Sequence, residues 1–202
     1  MDGDRHTGHG IESPAARLLR DFVNTRDVGT GADALDTPDH LVTWLAEHAL
    51  VHGRVPEADA GDLADAHALR EGLRAAMLAH HRSSTAPVLP DGLEPALARL
   101  PLRLSLSGGR PALVPLEGGA AAEGLGRLAV AVMESVADGS WTRLKVCQEP
   151  SCLWAFIDTS KNRSRSWCSM RVCGNRTKTR TYRARRRASA GRTEATEAQP
   201  GL

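Results

Sequence analysis

Apolar positions recur every three or four residues through most of the first 140 residues, the spacing of amphipathic helices. Ser13-Pro14 offers an N-cap followed by proline at the first helical position, and Leu18, Leu19, Phe22 and Val23 form an apolar stripe behind it. Asn24 to Gly31 breaks that pattern. Thr37-Pro38 repeats the start signal, with Leu41, Val42, Trp44 and Leu45 as the buried face of a second helix predicted to end near Gly53. A third, longer helix is predicted over 59–82, where Leu63, Ala66, Leu69, Leu73, Met77 and His80 share one face. Asp91 is placed to cap a short helix carrying Leu93, Leu97 and Leu100. The period then changes to two. Leu102, Leu104 and Leu106 alternate with Arg103 and Ser105, Gly108-Gly109 makes a turn, and Ala112 to Leu116 returns, which together predict a β-hairpin. A last helix is predicted from about Ala120 to Ala137, ended by Gly139. Residues 1–10 carry no such pattern and read as disordered.

Composition alters this picture at residue 141. The chain has 202 residues and a formal net charge of +2. Residues 1–140 hold 12 Lys/Arg against 20 Asp/Glu, a net of −8, whereas residues 141–187 hold 13 against 2, a net of +11. Every histidine lies at or before His81 and every cysteine at or after Cys147. An acidic helical body over 11–140 therefore joins a basic, cysteine-bearing module over 141–187, with 188–202 as a disordered tail. Aromatic residues are only 3% of the chain, so the core rests on Leu, Ala and Val. No apolar run is long enough to span a membrane and the N-terminus is no secretory signal, so the expected home is the cytoplasm and no membrane partner is expected.

The body shows little chemistry. His48 and His52 are four apart but lack the HExxH order, and read as surface histidines at a fraying helix end. His80-His81 reads as decoration of a helix C-terminus, where a cation suits the dipole. Asp21 and Asn24, with Thr25, form a candidate ligand-binding group at a helix end, although Asn-Thr is also an ordinary helix stop. No nucleophile elbow, P-loop or dinucleotide fingerprint is present, so no enzyme is expected.

The basic module is more informative. Cys147-x4-Cys152 and Cys168-x4-Cys173 are two close pairs about fifteen residues apart, a spacing that fits one tetrahedral Zn2+. Four thiolates fill the tetrahedron, so the metal is expected to be structural. Two disulfides or an iron–sulfur cluster are the competing readings. Leu153 to Thr159 reads as a strand, Lys161 to Ser166 as a basic turn, and Ser169 as the N-cap of a helix from about Met170 to Arg187. The expected order is a knuckle, a hairpin and then a helix that donates the last ligand, a treble-clef-like layout. Arg176, Arg180, Arg183 and Arg187 project from one face of that helix, and with Arg163, Arg165 and Lys178 they are the expected DNA contacts, arginine being suited to phosphate and guanine edges.

Arg143-Leu144-Lys145-Val146-Cys147, Trp154-Ala155-Phe156-Ile157-Asp158, Asn162-Arg163-Ser164, Trp167-Cys168-Ser169-Met170 and Cys173-Gly174-Asn175-Arg176 resemble the CGNR zinc-finger family. Asp21 to Thr25, Trp44-Leu45 and the turn at Gly108-Gly109 resemble the ABATE domain found before that finger. The resemblance implies zinc on the four cysteines, DNA binding by the finger, and a role in stress-induced transcription regulation. The expected fold is therefore α+β and mainly α: a helical N-terminal domain with one hairpin, plus a four-cysteine finger ending in a basic helix. The body is expected to act as a sensor of an unspecified small-molecule effector or as a dimerisation domain. RNA binding through Trp154, Phe156 and Trp167, and a protein-interaction role for the finger, are the alternatives.

Overall fold

The computed structural model describes residues 13–51, 57–81, 92–116, 119–183 and 186; the predicted disordered ends, His52, Asp91 and Arg187 lie outside them. Each early helix begins at its capping side chain. Ser13 Oγ accepts the Ala16 N–H at 3.1 Å at the start of α1 (Pro14–Val23). Thr37 Oγ1 accepts from His40 at 3.2 Å before α2 (Pro38–Glu47). Asp59 and Asp62 form a reciprocal capping box on α3 (Ala60–Ala79). A short α4 (Leu93–Ala98) leads to an antiparallel hairpin of β1 (Leu102–Ser105) and β2 (Ala112–Pro115), in register Leu102 to Pro115. α5 (Ala120–Ala137) ends at Gly139, whose positive φ of 77° suits glycine.

A 3₁₀ turn (Trp141–Arg143) then opens a second antiparallel hairpin, β3 (Leu144–Val146) with β4 (Ala155–Ile157). A π-turn (Met170–Gly174) continues as α6 over 175–183. The chain is mainly helical with small two-stranded sheets, as the periodicity predicts. No helix among the described residues is long and apolar enough to cross a membrane.

One local expectation needs correction. The second helix stops at Glu47, six residues short of Gly53. Ala49 adopts a left-handed conformation (φ 54°), the Leu50 N–H reaches Leu45 O at 2.9 Å and the Ala49 N–H reaches Ala46 O at 3.0 Å. This is a Schellman stop with alanine where glycine is usual, so no glycine marks it in the sequence. The first hairpin is partly buried: Leu102 packs against the core and Pro115 lies on α5 at Gly126, whereas Leu104 and Leu106 are 65% and 66% exposed.

One core serves the body and the basic module together. Leu19, Phe22 and Val23 of α1, Leu41 and Leu45 of α2, Leu69, Leu73 and Met77 of α3 and Leu125 and Leu128 of α5 pack with Leu144, Val146, Ala155 and Ile157 of the β3–β4 hairpin. Into this core α3 also sends a cation. Arg70 is 1% exposed and grips both carboxylate oxygens of Asp33 at 2.6 Å and Thr25 Oγ1 at 3.1 Å. These bonds fasten the 24–37 loop onto α3.

Candidate metal centre and basic helix

The knuckle is the turn of the second hairpin. Cys147 follows β3, and its N–H closes the hairpin on Trp154 O at 2.9 Å. Within the turn the N–H groups of Cys152 and Leu153 both reach Glu149 O, at 2.8 and 3.2 Å, and Leu153 takes a left-handed φ of 49°. No separate hairpin follows the knuckle, contrary to the sequence expectation, and the predicted strand shortens to Ala155–Ile157. Cys168 comes from the loop after β4. Cys173 lies in the first turn of the last helix, where Ser169 Oγ caps the Val172 N–H at 3.3 Å as its sequence position suggests.

All four sulfurs lie within 4.8 Å of one another, with Cys152 to Cys168 at 3.6 Å and Cys168 to Cys173 at 3.7 Å. A ZnS4 tetrahedron with Zn–S of about 2.3 Å has sulfur–sulfur edges of about 3.8 Å. Electrostatics agrees. Burial and the sulfurs of Cys152 and Cys147 push the Cys173 thiol up to about 11, and burial with the same neighbours raises Cys168 further. Four thiolates this close require a cation among them. Cys147 moves the other way: burial opposes its ionisation, but the N–H groups of Cys168 and Glu149 point at its sulfur and win. The cysteines thus form one structural zinc site.

The body holds the knuckle from three directions. His80 Nδ1 donates to Leu144 O at 2.7 Å and His81 Nε2 to Val146 O at 2.6 Å. These histidines therefore cap the outer edge of β3, a role beyond helix-end decoration. Burial lowers the pKa of both, keeping the rings neutral near pH 7. Arg74 of α3 donates to Val23 O at 2.8 Å and to Leu153 O at 3.1 Å, joining the end of α1 to the knuckle. Asn24 makes a two-way bond with Ala155: Oδ1 accepts its N–H at 2.7 Å and Nδ2 donates to its carbonyl at 2.9 Å. Asn24 thus extends the β4 edge like a neighbouring strand. Its fellow candidate Asp21 pairs with Arg20 at 2.8 Å; both line a shallow cleft with Trp154 and Arg165. His48 stacks on Trp44 with centroids 3.9 Å apart.

Only two acids interrupt the thirteen basic residues of 141–187, and both are buried. Asp158 accepts Lys145 Nζ at 2.8 Å, Ser160 Oγ at 2.6 Å and the Arg165 N–H at 2.9 Å. Burial alone would raise its pKa, but these donors bring it down to about 2. Glu149 accepts Arg180 at 2.6 Å, Thr177 at 2.8 Å and Ser151 at 3.2 Å. Arg180 leads these donors in holding its pKa at about 2. Glu149 therefore fixes α6 to the knuckle.

This clasp sorts the predicted DNA contacts. Arg180 is committed to Glu149, and Arg176 donates to Ser151 Oγ at 3.2 Å. Arg165 stacks over Phe156 at 4.8 Å and donates to the carbonyls of Trp167 and Cys168. Arg163 (φ 50°) donates to Thr142 Oγ1 at 3.0 Å. Lys178 and Arg183 stand exposed on α6, as does Arg171 in the turn before it, which the sequence reading passed over. The signal for Glu149 and Asp158 was their isolation among cations. For Arg70 and Arg74 it was their position within the apolar stripe of α3.

Residues 143–186 match the CGNR zinc finger, and residues 16–139 match ABATE, described as "Putative stress-induced transcription regulator". No curated protein matches the sequence. With more than half of its length inside one family and its four sulfurs gathered in the other, the chain belongs to the ABATE family and carries a CGNR zinc finger.

Proposed function

We propose that this chain is a zinc-dependent, DNA-binding transcription regulator of the cytoplasm, with the ABATE body as its sensor or dimerisation domain. The observation that carries the reading is the division of labour on α6. One face is engaged with Glu149 and Ser151, which sets the pose of the helix. Beside that clasp Arg171 in the preceding turn and Lys178 and Arg183 on α6 stand exposed, in a module of net charge +11. A rigid group of cations matches a row of phosphates. No catalytic step belongs to this reading.

Fluorescence anisotropy with duplex DNA tests it. Three phosphate contacts predict that affinity falls about fortyfold when salt rises fourfold. Lys178→Ala with Arg171→Ala flattens that slope, whereas Arg180→Ala weakens binding by loosening the helix and leaves the slope unchanged. A slope near zero in the wild type refutes the reading. The half-exposed Trp154, 39% accessible, favours RNA as a second reading through base stacking. Competition between duplex DNA and structured RNA separates the two. Phe156, buried under Arg165, is removed from that stacking surface.

A further inference from the structure

Between α1, α5 and the β1–β2 hairpin lies a cavity of about 660 Å³. Pockets for small organic molecules span roughly 300 to 1,000 Å³. Its walls differ in character. Leu18 of α1, Leu50 after α2, and Val130 and Ala131 of α5 form an apolar side. The hairpin supplies Arg103, Ser105 and Ser107. Arg103 and Ser105 alternate with Leu104 along β1, and Ser107 follows in the turn.

The charges on the walls narrow the ligand. Arg127 on α5 is paired with Glu123 at 2.7 Å. Arg103 has no ion pair among the described residues and faces the cavity as a cation. Glu134, two helical turns beyond Arg127, adds an acceptor for a ligand hydroxyl or amine.

We propose that this cavity binds a small organic anion with an apolar body. The anionic group sits on Arg103 and the serine hydroxyls of the hairpin, and the apolar part lies against Leu18, Leu50 and Val130. The inference gives a ligand class to the sensor role in the function proposed above and rests on that role. Its assay contains no DNA, so the cavity and the DNA interface can fail separately.

The probe is 8-anilinonaphthalene-1-sulfonate, added to the zinc-loaded full chain and followed by fluorescence and calorimetry. The expected result is saturable binding of one probe per chain. Val130→Trp fills the cavity and abolishes binding. Arg103→Glu, at an exposed position that does not test folding, weakens it about tenfold or more. Leu104→Ser with Leu106→Ser leaves it unchanged. Undiminished binding by Arg103→Glu, or by a folded Val130→Trp, overturns the proposal. So does loss of binding in the leucine variant, which would place the probe on the outward face of the hairpin, and so does absence of binding to the wild type.

Discussion

Asn24→Asp changes one side-chain atom and tests whether body and finger are one unit. The oxygen that accepts the Ala155 N–H at 2.7 Å remains. The amide that donates to the Ala155 carbonyl at 2.9 Å becomes a carboxylate oxygen facing another oxygen. The change removes a hydrogen bond worth about 1 kcal/mol, and an unsatisfied, partly buried acceptor adds about 1–2 kcal/mol, so the expected cost is about 2–3 kcal/mol. Native stability of about 5–15 kcal/mol makes that a large fraction. Urea unfolding of the zinc-loaded chain, followed by tryptophan fluorescence, reports it: Trp44 lies in the body, while Trp141, Trp154 and Trp167 lie in the finger. At about 2 kcal/mol per molar urea the midpoint drops by about 1 M or slightly more. All four tryptophans report the same transition, and a chelator strips zinc faster from the variant. A change below about 0.5 kcal/mol, the range of ordinary surface substitutions, refutes the clasp and returns Asn24 to the role of ligand-binding candidate.

Four further outcomes are expected. Asp33→Ala removes the bidentate partner of the buried Arg70 guanidinium, which keeps Glu71 at 3.3 Å, and costs about 2–3 kcal/mol in urea unfolding, and adding Arg70→Met recovers a good part; equal losses in the single and double variants contradict this. Ala49→Gly relieves a left-handed alanine at an exposed position and stabilises by about 1 kcal/mol, raising Tm by about 2–4 °C, and a lowered Tm contradicts the Schellman assignment. Cys173→Ser abolishes zinc retention in elemental analysis and, through the shared core, lowers the unfolding midpoint of the whole chain; a variant with full metal content refutes it. His80 and His81 have folded pKa values below the usual 6.5, so the folded state binds fewer protons than the unfolded one. Their stabilisation is therefore complete above pH 6.5 and is lost as pH falls below it, and the urea midpoint of His80→Asn with His81→Asn drops less between pH 7.5 and 5.5 than that of the wild type.

The starts of α1, α2 and the last helix were legible because capping is local: Ser13, Thr37 and Ser169 each sit where their side chains bond. The zinc ligands were legible because sulfur chemistry restricts spacing more tightly than packing does. What stayed hidden depends on partners distant in sequence. Nothing near Asn24 announces Ala155, 131 residues away, and nothing near His81 announces Val146. The charge step at residue 141 suggested two modules, yet charge describes surfaces while the core is built from uncharged faces that cross the step. The arginine row on the last helix was read from angle alone. Glu149, which receives Arg180, decided which side of that row turns inward.

The fastening of Leu153 by Arg74 bears on how such zinc fingers diversify. A finger whose fold came from its metal alone could be transplanted between proteins like a cassette. Here the carbonyls flanking the sulfurs are held by side chains from a helix that begins more than eighty residues before the first cysteine. Moving the finger to another host therefore means carrying Asn24, Arg74, His80 and His81 with it, and drift in any of them is felt at the metal.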